Sequence, residues 1–217
     1  MRETFLDRHQ AGEQLADVLE GLHLRQPVVL ALPRGGVPVA LPIARRLQAP
    51  LDLLLVRKIG APHQPELAVA AVVEGDPPQT VLDEANCRYT GADADYIAGE
   101  QPEAVREIER RRQRYRQGRP LRTLTGRTVV VVDDGIATGT TMRAALRALR
   151  RERPHAVVLA VPVAAPESLA ELADEADRVV CLLQPTWFGG VGAHYRDFHQ
   201  VQDDEVLSAL ASLRDRQ

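Results

Sequence analysis

The sequence predicts an α/β fold, a doubly wound, mostly parallel five-stranded sheet with helices on both faces. Short apolar runs rich in valine alternate with stretches of helical periodicity, and this alternation is typical of the βα units that build a parallel sheet. Residues 129–132 are four consecutive valines, as expected for a central strand buried on both faces. Glycines or charged residues follow several of the runs, and ligands bind at that edge of an open parallel sheet.

The order of these patterns places the elements along the chain. Strands are predicted at residues 28–32, 51–56, 128–132, 156–163 and 178–183. Helices are predicted from about residue 8 to 20 and at residues 37–47, 102–117, 142–151, 167–174 and 203–213. Helical periodicity is lost between residues 59 and 101, where apolar runs flank a Gly/Pro turn, and this pattern predicts a projecting β-hairpin. No linker divides the sequence, so residues 1–217 are expected to form one domain.

Composition narrows the class of protein. The 217 residues are 45% hydrophobic and 26% charged, with a net charge of −3, so no overall basic field favours nucleic-acid binding. No apolar run reaches the roughly 18 residues that cross a bilayer, and the first residues lack an apolar leader. Cys87 and Cys181 have no CxxC partner and are expected to be free thiols in a reducing cytoplasm. The six histidines show no metal-ligand spacing.

A pair of acids followed by a small-residue turn is the most informative motif. Asp133 and Asp134 come directly after the valine strand, and residues 135–141 are rich in glycine and threonine before a predicted helix. Backbone amides of such a turn, together with the helix dipole, favour a phosphate, while the acids suit a polyol or a metal. The spacing fits neither a Walker A loop nor a dinucleotide GxGxxG motif. A helix cap and a phosphoacceptor pocket are the alternatives for the two acids.

The motif resembles the phosphoribosyl-pyrophosphate (PRPP) site of the type I phosphoribosyltransferase family. That family carries an apolar run, two acids, and a loop of the form apolar-(Ala or Asp)-Thr-Gly-any-Thr. The acids and the loop residues of this chain fall in register with the pattern. The resemblance implies that Asp133 and Asp134 hold the ribose hydroxyls. It also implies that the 5′-phosphate is bound by Ala137, Thr138, Gly139, Thr140 and Thr141.

Two further stretches match the positions at which members of the family bind pyrophosphate. Arg34, Gly35 and Gly36 follow the first strand, where the family has its pyrophosphate loop, although Gly-Gly is also common turn punctuation. Arg57 and Lys58 are predicted at the end of the second strand, where several family members place cations against pyrophosphate oxygens. A solvated charge pair is the alternative for these two cations. With the two acids, they are the candidate catalytic residues.

The sequence features that concern binding of the acceptor base are less specific than those that concern PRPP. Trp187 and Phe188 follow the last predicted strand, in a segment (about residues 184–200) where purine-type members of the family form a small hood and stack the base on an aromatic ring. Packing of the C-terminal helix is an equally favoured role for these rings. The hairpin insertion, about residues 59–101, corresponds to the family's lid.

A dense charge run lies between these regions. Residues 110–114 include four arginines, which could form a nucleic-acid or PRPP-steering patch. Glutamates interleave with them at positions 100, 103, 107 and 109. Ion pairs on a solvated helix face are therefore the favoured interpretation.

The resemblance implies an enzyme that transfers the 5-phosphoribosyl group from PRPP to a nitrogenous base and releases pyrophosphate. Mg²⁺ would be bound mainly through PRPP, with Asp133 and Asp134 as additional candidate ligands. Ala137 stands where members acting on 6-oxopurines have an Asp, which disfavours those bases as acceptors. The expected partners are PRPP and a base, with a homodimer as a further option, and neither nucleic acid nor a membrane. A non-catalytic PRPP sensor of the same fold is the main alternative, and a haloacid-dehalogenase-like phosphoacceptor domain ranks last.

Overall fold

The computed structural model describes residues 4–118, 120 and 122–214; the remaining residues of the predicted domain lie outside this description. Contacts divide the chain into two compact units. The parallel-sheet unit comprises Met1–Leu53, Thr123–Gly139 and Glu152–Gln217. The antiparallel-sheet unit comprises Leu54–Arg122 and Thr140–Arg151.

The secondary structure follows the chain in order. The strands are β1 (Val28–Ala31), β2 (Leu51–Leu53), β3 (Val56–Ala61), β4 (Gln64–Val73), β5 (Gln79–Leu82), β6 (Thr128–Val132), β7 (Ala156–Val163) and β8 (Arg178–Leu183). The helices are α1 (Arg8–Glu20), α2 (Gly36–Arg46), α3 (Glu84–Thr90), α4 (Ala94–Arg116), α5 (Thr140–Arg151), α6 (Pro166–Leu172) and α7 (Asp203–Arg214). Short 3-10 helices occupy Ala173–Glu175 and Val191–His194.

The parallel-sheet unit contains a five-stranded parallel sheet in the order β2-β1-β6-β7-β8, which confirms the predicted fold class. Every residue of β1 and β6 is buried, as the valine runs predict. The strand order reverses between β1 and β6, and ligands of doubly wound sheets bind at such a switch point. Ala31 is in register with Val132, so the two strands end side by side there.

Helices α1 and α2 pack against each other and against this sheet, α1 on β7 and β8 and α2 on β1 and β6. Their core-facing residues recur with helical spacing, such as Leu15 and Leu19 of α1 and Val39 and Ile43 of α2, all fully buried. Helix α7 packs on α2 and β2. The strands that end at this edge, β1 and β6, are therefore packed against a buried core of helices.

The antiparallel-sheet unit contains strands in the order β3-β4-β5. Helices α3, α4 and α5 pack on this sheet. A buried ion pair joins the end of β4 to the end of α4, with Arg116 Nη2 3.0 Å from Glu74 Oε2. The three strands match the extended structure predicted for the lid insertion.

Two local predictions in this region are wrong. The apolar run at residues 51–56 is not one strand, because β2 ends at Leu53 and antiparallel β3 begins at Val56. Residues 59–101 are not free of helix, since they contain α3 and the start of α4. The overlooked signals are N-caps: the Asp83 carboxylate accepts a hydrogen bond from the Asn86 amide at 3.0 Å, and that of Asp93 from the Tyr96 amide at 2.9 Å.

The arginine-rich run forms ion pairs along α4, as predicted. Glu107 lies 2.8 Å from Arg110 and 2.7 Å from Arg111, and Glu109 lies 3.1 Å from Arg112. These pairs are spaced by three or four residues on one helix. Among the described helices, none combines the length and the apolarity needed to cross a bilayer. Both cysteines are free thiols.

Candidate functional site

The two acids predicted from the sequence lie at the end of β6, next to the end of β1. Val132 is the last residue of β6, so Asp133 and Asp134 leave the sheet at the switch point. The backbone amide of Asp134 donates to Asp133 Oδ1 at 2.8 Å. This bond fixes the Asp133 carboxylate relative to the backbone of Asp134.

Asp134 is held by two residues that the sequence analysis did not identify. Arg8 Nε donates to Asp134 Oδ2 at 2.8 Å, and the Arg8 side chain is only 8% exposed. The Tyr195 hydroxyl donates to the backbone carbonyl of Asp134 at 2.6 Å. Arg8 was overlooked because it lies at the polar start of a helix whose periodicity predicts only packing. A buried arginine that contacts a site on a distant strand leaves no local pattern in the sequence.

The electrostatics of the acid pair are set by burial and by their proximity. Burial, followed by repulsion from Asp134, raises the pKa of Asp133 well above its usual range. Burial also raises the pKa of Asp134, while its hydrogen bond with Arg8 opposes that rise. Burial raises the pKa of the Tyr195 hydroxyl, so it remains a hydrogen-bond donor. The site therefore disfavours two ionised carboxylates side by side, unless a cation compensates their charge or hydroxyl groups donate hydrogen bonds to them.

The glycine loop after β1 packs directly on the acids. A Cβ atom at Gly35 would lie 2.1 Å from Asp134 Oδ2, and one at Gly36 would lie 2.7 Å from the Val132 carbonyl oxygen. Only glycine leaves room at these two positions. Arg34, which precedes them, places Nη1 3.7 Å from Asp203 Oδ1 and is 35% exposed. The structure thus brings the predicted Arg34-Gly35-Gly36 loop and the acid pair together.

The turn that follows the acids is anchored to β7 and α6. The Ile136 amide donates to the Val163 carbonyl, and the Ala165 amide donates to the Ile136 carbonyl, each at 3.0 Å. The Ser168 hydroxyl donates to the Ala137 carbonyl at 2.5 Å. These bonds hold the backbone of the turn, which is a requirement for a loop that binds an anion with its amides.

The exposed part of this turn carries the predicted phosphate ligands. Ala137 and Thr138 are exposed. Gly139 has a φ of +73°, a conformation that side chains disfavour. Helix α5 begins at the next residue, Thr140, so Thr140 and Thr141 form its first turn and their backbone amides lie at the positive end of its dipole. These two threonines are assigned to the antiparallel-sheet unit.

Arg57 and Lys58 do not follow the end of a parallel strand. They lie inside β3 of the antiparallel-sheet unit, both exposed, and Lys58 Nζ is 3.3 Å from Glu66 Oε2. The prediction of their position is wrong because the chain changes sheets at residues 54–55. Their contact with pyrophosphate stays a prediction.

The two aromatic candidates have different environments. Trp187 is 64% exposed. Phe188 packs against the buried cluster that includes Phe5 and Tyr195, and its ring stacks on His194 with 5.6 Å between centroids. Trp187 is therefore the more accessible ring of the two, whereas Phe188 supports the core.

The acid pair also fits a magnesium ion that is shared with a phosphorylated ligand. Mg²⁺ in such sites is bound by one or two carboxylates, substrate oxygens and water. Asp133 and Asp134 supply adjacent carboxylates at a strand end, and no described residue hydrogen-bonds Asp133 Oδ2 or Asp134 Oδ1. Within the described ranges, no group of three or more His, Cys, Asp or Glu side chains could hold a metal alone. A shared ion suits this donor set better than a fully protein-bound one.

Comparison with known proteins places the chain in a family. The family model described as "Phosphoribosyl transferase domain" matches residues 2–199. Proteins of two Mycobacterium tuberculosis strains, provisionally named phosphoribosyl transferases, are 48% identical over 208 residues, which is 96% of this chain and 46% of each relative. The chain thus spans about half the length of these relatives.

Solved structures share the fold. The crystal structure of TT1426 from Thermus thermophilus has a TM-score of 0.85 at 47% identity, covering 97% of this chain and 99% of that one. A hypothetical protein from Neisseria gonorrhoeae with bound ppGpp has a TM-score of 0.53 at 15% identity, covering 98% of each chain; this likeness concerns the fold alone. With the family match over nearly its whole length, the chain belongs to the phosphoribosyl transferase domain family.

Proposed function

We propose that this protein is a phosphoribosyltransferase, which transfers the 5-phosphoribosyl group of PRPP to a nitrogenous base and releases pyrophosphate. The main support is the packing of Gly35 against the carboxylate of Asp134, 2.1 Å from where a Cβ atom would lie. The glycine loop follows the end of β1, and the acid pair and the anchored turn follow the end of β6, which is the neighbouring strand of the same sheet. PRPP presents pyrophosphate, ribose hydroxyls and a 5′-phosphate in a similarly compact arrangement.

Each group of the substrate has a matching set of residues. The carboxylates of Asp133 and Asp134 accept hydrogen bonds from the ribose 2′- and 3′-hydroxyls. The backbone amides of residues 137–141 and the threonine hydroxyls bind the 5′-phosphate. The amides of Gly35 and Gly36, with the guanidinium of Arg34, bind the pyrophosphate. Arg57 and Lys58 are the further cations that we assign to the pyrophosphate, on sequence grounds alone.

The reaction is a substitution at C1′ of the ribose. The bond from C1′ to the pyrophosphate oxygen breaks, and the bonding pair leaves with the pyrophosphate. The base nitrogen supplies the pair for the new bond to C1′ and loses its proton to solvent water. Fixed positive groups stabilise the charge on the leaving pyrophosphate, and the nearby carboxylates favour the positive charge that develops on the ribose.

Mg²⁺ bound with PRPP would supply further neutralisation of the pyrophosphate charge. Asp133 and Asp134 are the residues that would hold it, in agreement with their adjacent carboxylate oxygens at the strand end. The remaining contributions come from the protein's own residues, which bind PRPP and orient its ribose and its pyrophosphate for the substitution.

The acceptor base is constrained by two residues. Ala137 has no group that exchanges a proton with a base, so we do not expect a 6-oxopurine acceptor. Trp187, with its exposed ring, is the candidate for stacking an aromatic base. A planar nitrogenous base other than hypoxanthine or guanine is therefore the expected acceptor class.

A panel of bases tests this function. The protein is incubated with PRPP and Mg²⁺ and each of several nucleobases and simpler planar nitrogen heterocycles, and pyrophosphate release is followed. We expect release with at least one base and not with hypoxanthine or guanine. Binding of PRPP without release for any base would favour a PRPP sensor, and the absence of PRPP binding would refute both functions. Trp187→Ala is expected to raise KM for the accepted base about tenfold or more while leaving PRPP affinity within about twofold.

A further inference from the structure

We propose that Arg8 is a positioning residue for the ribose site, which fixes the carboxylate of Asp134 in its binding orientation. This inference rests on the proposed function, because it assigns Asp134 to the ribose of PRPP. It adds a residue from the N-terminal helix to a site otherwise made by the sheet edge. Arg8 acts through Asp134 and is not assigned a contact with the substrate.

The start of α1 is locked in place by its own sequence. The Asp7 carboxylate accepts from the Gln10 amide, and the Gln10 side-chain oxygen accepts from the Leu6 amide, each at 2.8 Å. This reciprocal pair is similar to a capping box, with Asp and Gln in the two roles. Arg8 is the first residue of the helix, so its Cα position is set by the cap and not by the ion pair.

The segment before α1 is also tied to the segment that follows β8. The Phe5 amide donates to the His194 carbonyl, and the Arg196 amide donates to the Phe5 carbonyl, each at 2.9 Å. Tyr195, between them, is the residue whose hydroxyl binds the Asp134 carbonyl. Two chain segments that pair with each other therefore converge on the same aspartate.

The Arg8 guanidinium is held at two of its nitrogens and on one face. Nε donates to Asp134 Oδ2, and Nη1 donates to the His199 carbonyl, each at 2.8 Å. The ring of Phe198 covers the guanidinium, with 3.8 Å between Cζ and the ring centroid. A planar cation held on one face and at two edges has little rotational freedom.

The consequence for Asp134 is a carboxylate with one fixed oxygen and one oxygen left for a ligand. Its backbone amide, its backbone carbonyl and its Oδ2 each make a hydrogen bond within the protein. Among the described residues, none hydrogen-bonds Oδ1. Gly35 closes the remaining side, since a Cβ there would meet Oδ2 at 2.1 Å. Arg8 thus determines which oxygen faces the ligand, and it also compensates one of two adjacent negative charges.

Three variants test this role. Arg8→Gln removes the charge and the fork of donors, and Arg8→Lys retains the charge with a different donor geometry. Arg46→Gln is the matched control, because Arg46 makes an exposed ion pair with Asp17 at 2.6 Å, away from the acid pair. PRPP affinity is measured in the presence of Mg²⁺ by calorimetry, and KM for the accepted base and kcat are measured by pyrophosphate release. Thermal unfolding is recorded for each variant, and binding is measured well below its midpoint.

We expect Arg8→Gln to weaken PRPP binding about 10-fold to 100-fold, with KM for the base within about twofold. Arg8→Lys should recover part of that loss, and Arg46→Gln should bind like the wild type. A purely structural role would lower the unfolding midpoint but leave the affinity of the folded protein unchanged. Affinity of folded Arg8→Gln within about twofold of the wild type would overturn the inference while the proposed function stands. Failure of the wild type to bind PRPP would overturn both.

Discussion

At the scale of single residues, the site depends on close packing between a loop and a carboxylate. Gly35 has a helical φ of −59°, which any residue can adopt, so its backbone conformation does not require glycine. The requirement is space, since its Cβ position falls on the Asp134 carboxylate. Because this position needs the space that only glycine leaves, the Arg34-Gly35-Gly36 loop and the Asp134 carboxylate are coupled, and we expect a substitution at Gly35 to affect both.

Substitution of Gly35 by alanine tests this coupling. The added Cβ must displace Asp134 Oδ2 and therefore disturb its ion pair with Arg8. We expect Gly35→Ala to weaken PRPP binding by more than about 10-fold. Gly99→Ala is the control, because Gly99 lies inside α4 and a Cβ there would meet no atom within 4 Å apart from its chain neighbours and the nearby backbone of its own helix. It should leave binding unchanged and stabilise the protein by about 0.5–1 kcal/mol. Equal PRPP affinity of Gly35→Ala and the wild type would contradict the assigned packing.

Asp133 illustrates how such a site costs stability. Its pKa is raised in the folded protein, so the folded state holds a proton more tightly than the unfolded chain does. Stability is then lost as the pH rises above the ordinary aspartate pKa of 3.8. Asn at this position has no charge to bury and can still accept from the Asp134 amide.

We therefore expect Asp133→Asn to raise the free energy of unfolding at neutral pH, on the order of 1 kcal/mol, while it weakens PRPP binding. The gain should shrink toward zero as the pH falls to about 4, where the carboxyl of the unfolded wild-type chain becomes protonated as well as that of the folded protein. Urea unfolding at several pH values measures the difference. If Asp133→Asn is less stable than the wild type at neutral pH, the folded protein stabilises the ionised Asp133 carboxylate, and this prediction is wrong.

At the scale of elements, the long helix α4 is stabilised by ion pairs along its surface. Most of its 23 residues are polar, so burial of apolar side chains alone does not account for its length. Hydrogen bonding to Arg110 is the main cause that lowers the pKa of Glu107 to about 2, and Arg111 adds to this effect. A carboxylate with a lowered pKa contributes stability above its ordinary value of 4.5 and loses it as the pH falls toward 2.

Glu107→Gln should therefore lower the free energy of unfolding at neutral pH by about 1 kcal/mol, the size expected for two helix-surface pairs. The difference from the wild type should decrease as the solution is acidified toward about pH 3. Glu66→Gln is the control, since its carboxylate is 95% exposed beside Lys58 and should contribute little. If Glu107→Gln lowers the free energy of unfolding equally at neutral pH and at about pH 3, the charge of Glu107 is not what stabilises the protein.

The elements also show which sequence patterns were sufficient for prediction. Strand β6 and the turn after it follow from four valines, two acids and a Gly/Thr loop, because each of these features is local. The region from residue 84 to 101 was mispredicted because its helices are set by the single caps Asp83 and Asp93 and have little apolar periodicity. Arg8 could not be predicted, since its role comes from a contact with Asp134, 126 positions away in the sequence.

At the scale of the whole molecule, the predicted site residues belong to two compact units. The acids, the Arg34 loop and Trp187 lie in the parallel-sheet unit, whereas Arg57, Lys58, Thr140 and Thr141 lie in the antiparallel-sheet unit. The linear motif of residues 133–141 crosses from one unit to the other between Gly139 and Thr140. Apolar runs that alternate with helical periodicity predict the parallel sheet correctly. The second unit contains the antiparallel strands β3, β4 and β5. Its start was not predicted, because the apolar run at residues 51–56 continues through the point where the chain leaves the parallel sheet.

The proposed function requires that the protein binds PRPP, and isothermal titration calorimetry of the whole chain with PRPP and Mg²⁺ measures this binding. The wild type is titrated beside Asp134→Asn, which keeps the shape of the side chain and removes its charge, and beside Arg46→Gln as the control for an unrelated ion pair. We expect saturable binding of one PRPP per chain, lost or weakened by more than about 100-fold in Asp134→Asn and unchanged in Arg46→Gln. No heat of binding with the folded wild type, or equal affinity in Asp134→Asn, would contradict this expectation.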